Sequence, residues 1–230
     1  MGERAIQRMY TRIDHGYELV NHLFSLWLDV RWRAVAARQA AERGGARWLD
    51  LCTGTGEMAA ALSRRAPPGT QVVALDFSAP MLHRARAKRD ATDVGFVLGD
   101  AGRLPFGDGA FDLVTISFAT RNLRGAGPLE TFFSEVHRVL APGGSFVHLE
   151  TSQPEGDLTG RLFRGYVRAA VTPIGRLVTG AAGPYRFLTT SVLRFHGARE
   201  LTDILEESGF DEVTVDPMLL GAVAIHHAVK

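Results

Sequence analysis

Residues 48–57, Trp-Leu-Asp-Leu-Cys-Thr-Gly-Thr-Gly-Glu, form the pattern of a short apolar strand, a tight turn and the start of a helix. The strand carries one acid, Asp50, and the turn holds Gly54 and Gly56. Glycine at such a turn lets the backbone approach a ligand that a Cβ would keep away. In an open α/β sheet, the first strand-to-helix turn is where a nucleotide-like ligand binds. The segment therefore predicts an α/β fold with a ligand site at this turn.

The pattern alternates strands with helices up to residue 150. Strands are predicted at about 47–51, 71–76, 95–98, 112–118 and 145–150, and helices at about 57–65, 79–90 and 128–140. A helix near 198–208 and two strands near 211–216 and 222–229 complete the pattern. Such alternation implies a parallel sheet, and the last two strands are predicted to form an antiparallel edge pair. The expected fold is a Rossmann-like, seven-stranded, mostly parallel sheet with an antiparallel last strand.

The N-terminal segment, residues 1–47, is predicted to be a helical cap on this sheet. Leu19, Leu23, Leu26 and Val30 recur at helical spacing. A chain of 230 residues is most simply one domain with a core large enough to fold alone. We therefore interpret residues 1–230 as a single domain.

The alternation of strands and helices stops after residue 150. Residues 152–196 are too many for a simple loop, so we expect a partly helical insertion after the fifth strand. Pro173 and Gly175 are predicted to interrupt its helical pattern, because proline removes a backbone donor and glycine weakens a helix.

The composition is that of a globular protein, with 46% hydrophobic and 22% charged residues. The single cysteine, Cys52, excludes a disulfide framework and a cysteine-based zinc site, and fits a reducing compartment. Neither a secretory signal peptide nor a run of about 18 apolar residues is recognisable. We therefore expect a cytoplasmic protein.

The net charge of +1 conceals an uneven distribution of charged residues. Residues 1–47 carry eight basic and five acidic side chains, and residues 155–196 carry six and two. Cationic segments outside the sheet indicate a face attracted to anionic lipid. Nucleic acid is not an expected partner, because no basic cluster is interleaved with stacking aromatic residues.

The glycine turn alone leaves the ligand open between a dinucleotide and S-adenosylmethionine (SAM). Gly54-x-Gly56-x-x-Ala59 also satisfies the dinucleotide fingerprint. Asp76 ends the next apolar strand, where an acid can bind the ribose hydroxyls of either ligand.

Three further features favour SAM. Asp50 precedes the glycines, which suits a ligand with an ammonium and a sulfonium group rather than a pyrophosphate. The third strand ends in Gly99-Asp100-Ala101, where a carboxylate and a backbone N–H can bind the adenine edge. A helix ends at 141–144, Ala-Pro-Gly-Gly, before the fifth strand. This set resembles the class I SAM-dependent methyltransferases over most of the chain.

The chain more closely resembles one family, the UbiE/MenG-type C-methyltransferases of menaquinone and ubiquinone biosynthesis. The resemblance runs from end to end, and the segments that carry it are Tyr17 to Asn21, Leu75 to Ser78, Leu104-Pro-Phe106, Arg121-Asn122, Pro142-Gly-Gly144, Glu150, Pro173-x-Gly175, Tyr185-Arg186 and Gly221 to His226. It implies methyl transfer from SAM to a ring carbon of a reduced polyprenyl quinone precursor, demethylmenaquinol above all.

The resemblance also implies which residues form the site. For the cofactor these are Gly54, Thr55, Gly56, Asp76, Asp100, Ala101 and Ser117. Arg121 is the catalytic candidate, because a cation near the ring oxygen would stabilise the ionised quinol; its alternative is an ion pair that holds the loop. The substrate candidates are Tyr17, Asn21, Asn122 and Tyr185. No metal is expected.

A polyprenyl tail keeps the implied substrate in the bilayer. Membrane-surface contact at the inner face is therefore expected, with Phe24, Trp27, Leu162, Phe163 and Tyr166 as the candidate side chains. A homodimer is also a possible state of this protein.

Three alternatives remain open at this stage. The acceptor could be a small soluble phenol or polyketide, because the chain departs from the family pattern at Asp14, Glu18, Thr120 and Thr151, on what the resemblance makes the substrate side. The protein could instead be a non-catalytic SAM-binding partner in quinone biosynthesis. An NAD-dependent dehydrogenase is the third alternative, against which Asp50 and the 99–101 segment argue.

Overall fold

The computed structural model describes residues 18–88, 90, 93–125, 129–180 and 182–230. Its strands are β1 Arg47–Leu51, β2 Gln71–Asp76, β3 Val94–Leu98, β4 Phe111–Ser117, β5 Leu140–Thr151, β6 Asp211–Met218 and β7 Val223–Val229. They form one sheet in the order β3-β2-β1-β4-β5-β7-β6. The pairs among β1 to β5 are parallel, and β7 runs antiparallel to both β5 and β6. The predicted fold class is thereby confirmed.

The helices lie before, between and after these strands. They are α1 (18–25), α2 Leu28–Glu42, α3 Glu57–Ser63, α4 Ala79–Arg86, α5 Leu129–Val139, α6 Asp157–Thr179, α7 Gly183–Leu193 and α8 Ala198–Glu207, with short 3₁₀ turns at Thr120–Gly125 and Leu219–Gly221. Every helix of the described ranges is too short or too polar to span a bilayer.

Alternate residues of each strand are buried on opposite faces of the sheet. In β1, Leu49 packs into the cluster that contains Phe133 of α5, whereas Trp48 packs into the cluster that contains Ala37 of α2 and Met58 of α3. This period-2 burial on both faces is what a parallel sheet covered by helices requires. The helix layers leave the carboxyl ends of β1, β2 and β4 uncovered, and the site lies there.

The predicted interruption of the insertion at Pro173 and Gly175 is wrong, because α6 is continuous through both residues. Pro173 and Ala169, whose carbonyl loses its helical partner, are both exposed, so water can satisfy that carbonyl. Gly175 is required by packing rather than by a break: a Cβ there would lie 2.0 Å from Cγ of Tyr185 in α7. The glycine thus lets two helices pack closely.

The N-terminal helical spacing is also interrupted, at Leu26 and Trp27. Both residues are left-handed, with φ of 54° and 61°, and they separate α1 from α2. As a result Leu19, Leu26 and Val30 are exposed instead of forming one buried stripe. The turn brings the start of α2 back against α1, and that contact builds part of the site.

Candidate active site

The turn after β1 depends on left-handed backbone. Cys52, Gly54 and Gly56 have φ of 51°, 56° and 80°, and the Gly56 N–H donates to the Thr53 carbonyl at 2.8 Å. A Cβ on Gly56 would lie 2.7 Å from Cβ of Ala85 in α4, so only glycine allows this helix to pack against the turn. The sequence pattern predicted the glycine turn, and the structure adds the close packing of α4 against Gly56.

Two buried carboxylates hold the turn in place. Asp76 accepts hydrogen bonds from the N–H groups of Gly54 and Ser78, each at 2.8 Å. Asp50 accepts from the hydroxyls of Thr53 at 2.6 Å and Thr115 at 2.8 Å, and its complete burial raises its pKa to about 6. Asp50 does not line the cavity described next, so its expected contact with a cationic ligand is not seen and it braces the turn from below.

A cleft opens at the carboxyl ends of β1, β2 and β4, with a volume of about 810 Å³ that includes the open solvent at its mouth; we call it the strand-end cavity. It lies where the strand order changes direction between β1 and β4, the usual ligand position in open α/β sheets. It brings together six of the predicted site residues, which are Asn21, Gly54, Thr55, Asp76, Ser117 and Asn122.

Three further predicted site residues do not line this cavity, and a fourth cannot be placed. Asp100 is exposed and accepts from the Gly102 N–H at 2.8 Å, and Ala101 is buried in the core; neither lines the strand-end cavity. Tyr185 is buried against Gly175 in the packing of α6 and α7. Tyr17 lies outside the described residues. The assignments of these four residues to cofactor or substrate stay predictions.

Cys52 also lines the strand-end cavity. Burial raises the pKa of its thiol, and the charges of Asp76, Asp50 and Asp100 raise it further. Because the thiolate is the reactive form, this thiol is a packing group rather than a nucleophile.

The sequence analysis missed a cluster of charged side chains between α1, α2 and α3. Arg33 contacts Asp29 at 2.6 Å and Glu57 at 3.0 Å. His22 contacts the same two carboxylates, with Nδ1 at 2.9 Å from Asp29 and Nε2 at 3.3 Å from Glu57. The sequence does contain an indication of this cluster: Asp29 and Arg33 lie one helical turn apart in a segment rich in apolar residues, a spacing that predicts an ion pair.

Glu18 completes the cluster and lines the strand-end cavity. Burial opposes ionisation of Glu18, but hydrogen bonds with Lys88 and Glu57 outweigh it and lower the pKa. Burial raises the pKa of Glu57, with Arg33 opposing the rise. Glu18, His22 and Glu57 each place one atom within 4.8 Å of the others, as metal ligands would, but His22 and Glu57 are already paired with Asp29 and Arg33.

A second cleft adjoins the first, with a volume of about 410 Å³ that includes the open solvent at its mouth; we call it the side cavity. Its lining is mainly apolar and includes Phe24, Trp32, Leu188 and Val192 together with Ser25, Asp29, Arg121 and Thr151. Asn21, Arg33 and Phe118 line both cavities and form their common wall. Phe118 is left-handed, with φ of 55°, directly after β4. An apolar pocket with a few convergent polar groups is typical of a site for a small organic molecule.

Arg121 lies in this side cavity and forms a buried ion pair with Glu150. Glu150 also accepts from the backbone N–H of Thr151 at 2.8 Å and from its hydroxyl at 3.1 Å. The structure thus gives Arg121 the predicted ion pair and also a place on the cavity wall. Its catalytic assignment is taken up below.

Comparison with solved structures agrees with the fold. A SAM-dependent methyltransferase of Thermotoga maritima, described as a possible histamine N-methyltransferase, superposes with a TM-score of 0.65 at 20% identity, covering 98% of this chain and 99% of that one. A SAM-dependent methyltransferase of Aquifex aeolicus gives 0.59 at 19% identity, over 84% and 88% of the two chains. At these identities the likeness shows the fold alone.

Sequence comparison defines the family. A demethylmenaquinone methyltransferase of Thermus thermophilus is 41% identical over 220 residues, covering 95% of this chain and 98% of its own length. One of Deinococcus radiodurans is 40% identical over 209 residues, covering 90% and 85%. The model of the ubiE/COQ5 methyltransferase family matches residues 1–230. The chain therefore belongs to the ubiE/COQ5 methyltransferase family.

Proposed function

We propose that this protein is a SAM-dependent C-methyltransferase that converts demethylmenaquinol to menaquinol. The observation that carries the proposal is the side cavity: it is apolar, contains the buried Arg121 and shares a wall with the strand-end cavity. The two relatives above carry the name demethylmenaquinone methyltransferase and align over nearly the whole chain.

The strand-end cavity fits SAM. An added Cβ at Gly54 would have its nearest neighbour 4.0 Å away, so the space beside this residue is open. We assign the methionine end to Gly54, Thr55 and the turn shaped by Gly56, and the ribose hydroxyls to Asp76. The adenine is assigned to Asp100 and Ala101, which follow β3 outside the lining of the cavity, and Ser117 is assigned to the donor end. When bound, SAM supplies a methyl group that is activated by the sulfonium charge.

The side cavity holds the acceptor ring in this proposal. The ring carbon becomes nucleophilic when the adjacent hydroxyl is ionised, and a buried cation stabilises that oxyanion. Glu150 holds the Arg121 guanidinium at the cavity wall. Asn122 lines the neighbouring strand-end cavity; its buried Oδ1 has no hydrogen-bond partner among the described residues, so it can accept a bond from a ligand hydroxyl on that side. Holding the two reactants in place is worth as much as about 7–11 kcal/mol.

We further propose that one face of the molecule lies on anionic lipid at the inner side of the membrane. Leu158, Leu162, Tyr166 and Leu177 of α6 are exposed, as are Leu19, Leu26, Trp27 and Val30 near α1. The Tyr166 hydroxyl donates to the Phe24 carbonyl at 2.6 Å, and their rings stack at 5.7 Å, which joins the two groups into one surface. Exposed Arg161 and Arg168 add positive charge.

The test of the function is transfer of labelled methyl from SAM to chemically reduced demethylmenaquinone, with the matching ubiquinol precursor in parallel. We expect transfer to the naphthoquinol, its loss when the acceptor is oxidised, and no effect of EDTA, since the sulfonium needs no metal. Transfer only to a soluble phenol would replace the acceptor. SAM binding without transfer to any acceptor would favour the non-catalytic alternative.

A further inference from the structure

The strand-end cavity has an unequal set of charges on its walls. Among the lining residues of the described chain, Arg33 is the one permanent cation, whereas Glu18, Glu57 and Asp76 are acids. SAM carries one carboxylate and one ammonium group on its methionine moiety, beside the sulfonium. The ligand carboxylate and Arg33 are therefore expected to pair with each other.

Arg33 and Glu57 both line this cavity and form a direct ion pair, with 3.0 Å between Nη1 and Oε2. Their side chains are 11% and 20% exposed, so both remain within reach of a ligand. Asp29 holds Arg33 at 2.6 Å, and the Phe118 ring lies 5.0 Å from its guanidinium carbon. Arg33 therefore keeps a partner and its position if Glu57 moves away.

Resting on the proposed use of SAM, we propose that the Arg33–Glu57 pair occupies the place of the methionine zwitterion and opens when SAM binds. Arg33 then binds the ligand carboxylate, and Glu57 binds the ligand ammonium. The exchange replaces one ion pair by two, so neither buried side chain is left with an uncompensated charge, which is the costly state.

The surroundings of Glu57 support this exchange. Glu18 and His22 face it from α1, Arg33 and Asp29 lie on α2, and Lys88 after α4 pairs with Glu18 at 2.7 Å. Burial and the neighbouring Glu18 raise the pKa of Glu57 against the opposing charge of Arg33, so a further positive charge beside Glu57 would favour its ionised form. An ammonium group supplies that positive charge.

Calorimetric titration with three ligands tests the exchange without reference to activity. SAM has both charged groups of the zwitterion, decarboxylated SAM keeps only the ammonium, and 5′-methylthioadenosine has neither. We expect wild type to prefer SAM over decarboxylated SAM by about ten- to a hundred-fold, the worth of a charge-assisted hydrogen-bond pair. Equal affinities would overturn the proposal.

Variants then assign each charge to its residue. Arg33→Met should weaken SAM binding by about ten- to a hundred-fold and leave the other two ligands within about three-fold. Glu57→Gln should weaken SAM and decarboxylated SAM but not methylthioadenosine. Arg38→Met is the matched control, since Arg38 lies on the same helix with a side chain that is 65% exposed.

Equal weakening of all three ligands by Arg33→Met or by Arg33→Lys would make Arg33 a structural residue and overturn the assignment. Failure of wild type to bind either SAM or methylthioadenosine would instead overturn the proposed function. If the protein methylates demethylmenaquinol but does not show the expected differences in affinity among the three ligands, the proposed function stands and only the proposed opening of the Arg33–Glu57 pair is overturned.

Discussion

The strand-end cavity and the side cavity share a wall but are assembled in different ways. The turn of the strand-end cavity is held by Gly54 and Asp76, which are 22 positions apart; the Gly54 N–H donates to the Asp76 carboxylate. Side chains of α1, α2, β5 and α7 line the side cavity. Beside it, the Tyr166 hydroxyl donates a hydrogen bond to the carbonyl of Phe24, which lies 142 positions earlier in the chain. Backbone geometry thus sets the first cavity, and long-range packing sets the second. Four experiments separate the two.

Replacement of Arg121 should affect only the side cavity and should have the largest effect. We expect the double variant Arg121→Met/Glu150→Gln, which removes both charges and leaves neither buried alone, to lower kcat about 10²–10³-fold. Affinity for SAM by calorimetry should stay within about two-fold. Arg38→Met on the exposed side of α2 is the control. A normal rate in the double variant would leave Arg121 a structural residue.

Replacement of Asp50, which braces the strand-end turn, should change the pH dependence of the free energy of unfolding. The pKa of Asp50 is about 6 in the folded protein against 3.8 for an ordinary aspartate, so the folded state binds more protons between these values. The free energy of unfolding therefore falls as pH rises through this window, by about 3 kcal/mol.

Asp50→Asn lacks this titration. The free energy of unfolding of the variant minus that of wild type, from urea titrations at several pH values, should rise by about 3 kcal/mol between pH 4 and 7. Asp203→Asn, at an exposed position of α8, should show no such trend. If this difference in unfolding free energy stays constant with pH, burial does not raise the pKa of Asp50 in the folded protein.

Gly56→Ala should damage the strand-end turn and spare the side cavity. The new Cβ meets Ala85 at 2.7 Å in a left-handed backbone, so we expect a loss of about 2 kcal/mol in unfolding free energy and weaker SAM binding. Gly69→Ala has a similar φ of +89° but open space, and isolates the backbone cost. The KM for the quinol should not change. If both variants lose the same unfolding free energy, the contact of the new Cβ with Ala85 does not contribute to the loss.

The smallest effect concerns the lipid surface beside the side cavity. Leu158→Ser/Leu162→Ser should lower co-flotation with anionic liposomes about ten-fold, because two exposed leucines lose their burial in lipid. Leu220→Ser, equally exposed but at the turn between β6 and β7, is the control. Flotation that is equal for both variants would place the lipid contact elsewhere.

The sequence predicted the parts of the molecule that local rules determine. Gly54, Gly56 and Asp76 lie at the turn and strand end where the pattern placed them, because a left-handed turn and a strand terminus are encoded by adjacent residues. The mostly parallel sheet and its antiparallel last strand followed from the alternation of elements, whereas the strand order came from the structure.

What the sequence could not predict depends on contacts between distant segments. The break between α1 and α2 lies at Leu26 and Trp27 and contains no glycine, so the local sequence does not predict it. Pro173 remains helical because α6 is held by packing against α7. Arg33 reaches Glu57 only because that break folds α2 back towards the turn after β1. The charged cluster is therefore a property of tertiary structure.

Cys52 has a practical consequence. It is the single cysteine of the chain, and burial beside three carboxylates keeps its thiol protonated. Thiol-directed labels react with the thiolate, so they will pass over this position. The natural sequence is thus already a background for site-directed labelling: a cysteine introduced on the exposed side of α6 would carry a spin label or fluorophore alone, without prior removal of a native thiol.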